Sequence, residues 1–348
     1  MSSSTPSSVN YEPTRRGLPV TAAPLLELQN LSTHYVSAQG TRVVRAVDDV
    51  SLRIHAGETL GIVGESGSGK STLALTILRI LPAAARIVGG KMLFAGEDLL
   101  EKSDDEMRRV RGKRIAMILQ DPMASLNPLF TIGDQVGEPI RVHDGASRVT
   151  AWARAKQLLK AVRIPSPETR VIQYPHEMSG GMRQRIVGAI GISCEPRLLI
   201  ADEPTTSLDL TIQAQYLNLL RELQRAQGLA LIFITHNLGI VAKMCDRLAV
   251  MYAGRVVESG PVSQIFNSPA HPYTEALLNS IPRMTDSAQR LTAIKGQPPD
   301  LAALPPGCAF APRCPRAFDR CRESAPPVVS EARSRTARCW LAADSGVA

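Results

Sequence analysis

The sequence predicts an α/β fold: a mostly parallel sheet with helices on both faces, an antiparallel β subdomain before it and a small irregular extension after it. Three observations predict this. Strand-length apolar runs at 59–63, 198–201 and 229–235 are bounded by polar turn residues and alternate with helical segments. A glycine-rich stretch, Gly64-Glu65-Ser66-Gly67-Ser68-Gly69-Lys70-Ser71, lies between the first of those strands and a helix over 71–81. Past about Phe266 proline recurs (Pro269, Pro272, Pro282, Pro298, Pro299, Pro305, Pro306), which argues against long helices there.

In chain order, residues 1–22 are rich in Ser, Pro and Thr and read as a disordered leader. Residues 25–35 and 43–54 read as an antiparallel strand pair. The strand at 59–63, the glycine loop and the 71–81 helix follow, then an apolar run over 115–119 that ends on Gln120. A helix is predicted over 182–193, and the buried strand at 198–201 leads into Asp202 and Glu203. The strand at 229–235 is followed by His236. A boundary near 266–269 divides a domain at 23–267 from an extension at 268–348, in which 273–281 is the one plausible helical stretch.

Composition narrows the class. A hydrophobic fraction of 44% is ordinary for a globular chain, and the apolar runs fall far short of a membrane span. The start lacks the basic and apolar regions of a secretory signal, so the chain is expected in the cytoplasm, reaching the membrane only through partners. The net charge of +8 is scattered, and with 4% aromatic residues there is little for bases to stack on; nucleic acid is not expected as a partner.

The glycine loop fits G-x-x-x-x-G-K-S, the P-loop pattern, in the strand–helix context that it requires. Such a loop turns backbone N–H groups onto a phosphate, and the helix that follows adds partial positive charge. Lys70 then reaches the β and γ phosphates, and the Ser71 hydroxyl can ligate Mg²⁺. The other half of a metal site is an acid at the end of a buried strand. Asp202 would hold Mg²⁺ through water, and Glu203 would act as the general base on the attacking water.

Ser179-Gly180-Gly181, opening a helix shortly before Asp202, resembles the signature motif of ABC ATPases. The resemblance covers about 25–260 and implies a P-loop NTPase fold of the ABC ATPase type, with an antiparallel β subdomain and a helical signature subdomain. It implies that Gly64, Glu65, Ser66, Gly67, Ser68, Gly69, Lys70, Ser71 and Thr72 bind nucleotide, and that Ser179, Gly180 and Gly181 cap the γ-phosphate held by an opposite protomer. Gln120 matches the Q-loop, which contacts Mg²⁺; Ser207-Leu208-Asp209 matches the D-loop, His236 the switch histidine and Tyr35 the aromatic that stacks on adenine.

Narrower features resemble the dipeptide/oligopeptide importer branch and its D-type subunit. They are Gln120-Asp121-Pro122-Met123-Ala124-Ser125-Leu126-Asn127-Pro128, the stretch from Tyr174 to Arg185 with Met182 where most ABC ATPases carry glutamine, and His271-Pro272-Tyr273-Thr274. This resemblance implies an ATP-hydrolysing motor that drives peptide uptake at the cytoplasmic face of the membrane. Its implied partners are an F-type ATPase in a heterodimer, two membrane permease subunits and an extracytoplasmic binding protein. Nickel or oligosaccharide cargo stays open, as do a soluble ABC ATPase outside transport and a non-hydrolysing regulator.

Four of the six cysteines, Cys308, Cys314, Cys321 and Cys339, fall among the prolines of the extension, in a stretch too short for a core of its own. Paired C-x-x-C knuckles are absent. Some peptide-importer extensions bind a [4Fe–4S] cluster, and the resemblance implies one here, for which four thiolates is the right ligand count. Zinc and unmetallated thiols stay open beside it. Cys194 and Cys245 read as buried and inert.

Overall fold

The computed structural model describes residues 23–206, 208–280, 294–331 and 335–344. The leader expected at 1–22 and Ser207 lie outside them. Strands β1 (Leu26–Val36), β2 (Val43–Ile54), β4 (Ala85–Phe94) and β5 (Glu97–Asp98) form an antiparallel sheet ordered β2-β1-β4-β5. Strands β3 (Thr59–Val63), β6 (Ile115–Ile118), β7 (Leu198–Asp202), β8 (Ala230–Ile234) and β9 (Arg247–Tyr252) form the parallel part of the second sheet, in the order β9-β3-β8-β7-β6. Strands β10 (Arg255–Pro261), β12 (Arg335–Ala337) and β11 (Val329–Glu331) extend it antiparallel beyond β9.

The central strands read as continuous apolar runs because both of their faces are buried. Along β7, Leu198 and Ile200 enter one core with Leu60, Ile62, Ile232 and the helix Lys70–Leu78; that core also receives the antiparallel sheet. Leu199 and Ala201 point the other way, to Val63, Phe233 and the helices Gly180–Ile192 and Leu210–Gln227. This alternation with a period of two assigns the faces and fixes the register of β3, β7 and β8. The carboxyl ends of β3, β7 and β8 therefore lie side by side, with Ile62 opposite Ile234 and Asp202 opposite Ile234.

The first helix runs Lys70–Leu78, shorter than the 71–81 predicted. Arg79 stops it by taking left-handed φ 52°, and its guanidinium donates to the carbonyl of Leu99 at 3.0 Å, a tertiary tie invisible in local sequence. In the extension the longest described helix is Pro272–Asn279, with proline at its first turn and His271 as N-cap.

His271 is 1% exposed, and its Nδ1 accepts from the Tyr273 N–H at 3.0 Å. Burial, with the charge of Arg316 adding to it, pushes its pKa down to about 3. The folded value lies below the unfolded one of about 6.5, so this ring favours folding above pH 6.5 and opposes it increasingly as pH falls towards 3. His271→Asn should flatten that part of the pH dependence of the urea midpoint between pH 6.5 and 4. A slope equal to wild type would show that His271 is not the titrating group.

Candidate active site

The phosphate loop leaves β3 at Val63 and enters its helix at Lys70. Gly69 takes φ +101° and caps the helix; a Cβ built there would lie 2.0 Å from the Ala46 carbonyl oxygen, so both conformation and space demand glycine. Lys70 is 7% exposed and folds back over the loop, donating to the carbonyls of Gly64 at 2.9 Å and Glu65 at 3.0 Å. Burial lowers its pKa, opposed by the charges of Glu203, Asp202 and Glu65. Ser68 is buried 3.4 Å from the Lys70 ammonium, whereas Ser66, Gly67 and Ser71 are exposed.

Asp202 ends β7 and is 5% exposed. Burial raises its pKa and adjacent Glu203 adds to this, against a hydrogen bond from the Ser71 side chain and the charge of Lys70. Its Oδ1 has no hydrogen-bond partner among the described residues. A buried carboxylate with one oxygen unused, beside a hydroxyl from the phosphate loop, suits a hard divalent cation.

Glu203 turns out of the strand at left-handed φ 45°, held by its N–H donating to the Ile234 carbonyl at 2.9 Å. Three side chains meet its carboxylate. Gln120 Nε2 donates to Oε2 at 3.2 Å, Thr206 Oγ1 donates to the same oxygen at 3.0 Å, and His236 Nδ1 lies 3.3 Å from Oε1. Gln120 comes from the end of β6 and His236 from the end of β8, the strands flanking β7 in the sheet. The sequence reading named Gln120, Glu203 and His236 but not Thr206, because threonine after a strand carries no local signal.

Tyr35, at the end of β1, reaches the helix after the loop, its hydroxyl 3.4 Å from Thr72 Oγ1. Ser179 caps the helix Gly180–Ile192 by accepting from the Met182 N–H at 3.3 Å, and Ser179 and Gly180 are exposed. Asp209 caps the helix Leu210–Gln227 by accepting from Thr211 and Ile212, both at 3.0 Å. A Cβ at Gly181 would meet Ile212 Cγ2 at 2.8 Å, so the signature residues and the Asp209 turn are neighbours. Among the described residues neither Ser179 nor Asp209 hydrogen-bonds the phosphate loop. Met182 packs against the core and leaves the Ser179 cap intact.

One further contact carries no signal in the sequence. Glu65 in the phosphate loop accepts both arms of Arg313 from the extension, at 2.7 and 3.0 Å, and its N–H donates to the Tyr273 hydroxyl at 2.9 Å.

The iron–sulfur expectation needs correcting. Cys308, Cys314, Cys321 and Cys339 do line one pocket, together with His271, Phe310 and Trp340. Yet among the described residues no group of three or more His, Cys, Asp or Glu side chains is placed to hold a metal ion. Burial pushes the Cys308 thiol up to about 11 and also raises Cys314 and Cys339. The zinc alternative meets the same placement. Burial likewise raises Cys194 and Cys245.

Comparison with known proteins accords with this geometry. Residues 47–206 match the ABC transporter family, and residues 257–321 match the C-terminal region of oligopeptide/dipeptide transporters. The chain is 51% identical over 319 residues to the probable peptide ABC transporter ATP-binding protein y4tR of Sinorhizobium fredii, covering 91% of this chain and 94% of that one. It is 49% identical to the dipeptide transport ATP-binding protein DppD of Bacillus subtilis, over 91% of this chain and 94% of DppD. With the oligopeptide transport ATP-binding protein OppD of Haemophilus influenzae it shares 46% identity, over 92% of this chain and 98% of OppD. Among solved structures, the dimeric ATP-binding cassette MJ0796 in a post-hydrolysis state with ADP and phosphate superposes with TM-score 0.61 at 27% identity, covering 68% of this chain and 98% of that one. The chain belongs to the ATP-binding subunits of ABC transporters, in the branch that carries the oligopeptide/dipeptide transporter C-terminal region.

Proposed function

We propose that this chain hydrolyses ATP to power the import of di- or oligopeptides. The observation that carries the chemistry is the placement of Glu203 among Gln120, Thr206 and His236, beside the buried pair Lys70 and Asp202. The phosphate loop from Gly64 to Thr72 binds the triphosphate, Lys70 offsets its charge, and Tyr35 faces the adenine. The Glu203 carboxylate takes the proton of the water that attacks the γ-phosphorus, while Gln120 and His236 orient it, and ADP leaves with phosphate. Ser71, Asp202 and Gln120 would hold Mg²⁺, which supplies charge neutralisation at the phosphates.

Among the described residues Ser179 and Asp209 make no hydrogen bond to the chain's own loop, which supports the service of Ser179, Gly180, Gly181 and Asp209 to the site of a second ATPase subunit. We assign that subunit to a related F-type chain, in a heterodimer whose closure on ATP drives the transport cycle. Within this scheme 23–267 is the ATPase domain and 268–348 the extension. Among the described residues no helix is long and apolar enough to cross a membrane. Leu129, 80% exposed, and Phe130 present apolar surface just after the Gln120 segment, which suits docking on two permease subunits. The chain then sits peripherally on the cytoplasmic face, and an extracytoplasmic binding protein delivers cargo to the permeases. The match of residues 257–321 to peptide-transporter extensions favours peptide over nickel or oligosaccharide cargo.

Co-expression with the genomic neighbours and reconstitution in liposomes tests this. Labelled di-, tri- and longer peptides should enter only with ATP, and not when Glu203→Gln replaces the wild-type chain. ATP turnover without uptake of any of these peptides would sink the cargo assignment and leave the motor.

A further inference from the structure

The reading of this chain as an ATPase leaves Arg313, which grips the phosphate loop, without a role. Arg313 sits on a short turn in the extension, its side chain 4% exposed, 248 residues from the acid it binds. Its guanidinium makes a two-pronged bond to the Glu65 carboxylate and donates to the Tyr252 hydroxyl at 3.3 Å and the Lys295 carbonyl at 3.0 Å. It also lies over the rings of Tyr252 and Phe310, at 5.8 and 5.9 Å from their centres. Tyr252 and Phe310 pack with Tyr273, which accepts from the Glu65 N–H.

Glu65 is thus gripped at three points. Arg313 holds its carboxylate, Tyr273 holds its N–H, and its carbonyl accepts from Lys70 Nζ at 3.0 Å. A planar guanidinium with both arms engaged and its faces packed on rings fixes a carboxylate in direction as well as distance. Taking such a pair out of water carries a desolvation cost that apolar packing would avoid, so stability alone is a weak reason for it. What the pair gives is position, at the loop residue whose carbonyl also meets the catalytic lysine. The same short stretch, 308–314, carries Cys308 and Cys314 of the thiol pocket, so the extension's packing is linked mechanically to the phosphate loop.

We propose that Arg313 is a positioning residue for ATP: with Tyr273 it clamps Glu65, so that the C-terminal segment sets the phosphate loop's affinity for the triphosphate. The inference rests on the ATPase reading.

The test uses the full-length chain, with ATP binding followed by calorimetry, steady-state phosphate release, and thermal melting without nucleotide. Arg313→Gln should raise the ATP Kd about tenfold, the scale of a lost charged hydrogen-bonding contact felt at one remove. KM should rise with it while kcat changes less. Glu65→Gln should give a similar rise, and the double variant no more than either alone, because both substitutions break one contact. Arg313→Lys should recover part of the loss, since it keeps the charge without the fork. A lowered melting temperature with ATP Kd and KM unchanged would make the pair a staple of the fold and overturn the proposal. If Arg313→Gln does not fold, Tyr273→Phe removes only the acceptor for the Glu65 N–H. A rise of a few-fold in Kd supports the clamp, and an unchanged Kd overturns it. A wild-type chain that binds no ATP overturns the ATPase reading and the clamp together, whereas normal wild-type binding with indifferent variants overturns the clamp alone.

Discussion

Glu203→Gln should lower the rate of ATP hydrolysis about a thousandfold while leaving ATP bound, the scale expected when a general base is removed. The glutamine keeps the size of the side chain and an oxygen that can still accept from Thr206 or Gln120, but it cannot take a proton from water. Loss of the negative charge also relieves a neighbour that holds Asp202 towards its neutral form. Nucleotide should therefore stay on the variant at least as well as on wild type. Phosphate release and ATP binding measured on the same preparation separate the two effects. A rate within tenfold of wild type would mean that another group takes the proton.

The second large effect is structural. Gly69→Ala places a Cβ where the Ala46 carbonyl stands 2.0 Å away, at φ +101°. The contact is with backbone, so no side chain can swing aside; the loop or β2 must move. We expect a loss of about 3 kcal/mol of stability and an ATP Kd raised about a hundredfold. Gly67→Ala supplies the comparison, because Gly67 also has positive φ (78°) but open space around it. It should cost about 1 kcal/mol, the conformational term alone. Equal losses in urea denaturation for the two variants would show that the clash at Gly69 is not what matters.

How far the site was legible depends on how local its signals are. The strand at Thr59–Val63 and the acid pair after β7 follow from short patterns whose physics is local: apolar runs buried on both faces and a glycine loop before a helix. Gln120 and His236 were legible as strand-end residues matching the family's motifs, whereas their meeting at Glu203 follows from sheet order. Arg313 was not legible, since nothing near it signals a partner 248 positions away. The cysteines show the opposite failure. Four thiols do line one pocket, but holding a metal depends on side-chain placement, which neither the ligand count nor the family resemblance encodes. The early end of the first helix belongs with Arg313, for the bond from Arg79, where the helix stops, to Leu99 joins residues 20 positions apart.

The extension has another effect at the far side of the large sheet. Glu258 and Ser259 of β10 pair with Ala337 and Thr336 of β12, and the Arg338 N–H continues the ladder to the Val257 carbonyl at 2.8 Å. The fully buried Glu258 carboxylate is answered there by Arg335 at 2.7 Å. Without this strand β10 would be an open edge, a row of unpaired peptide groups beside an acid left with only the Ala270 and His271 N–H groups, ready to recruit a strand from a neighbouring molecule. Residues 335–338 thus act as a selvedge: with β11 beyond them as the outermost strand they finish the sheet past β10, and the readiness of β10 to pair with a neighbouring molecule is governed by that seam.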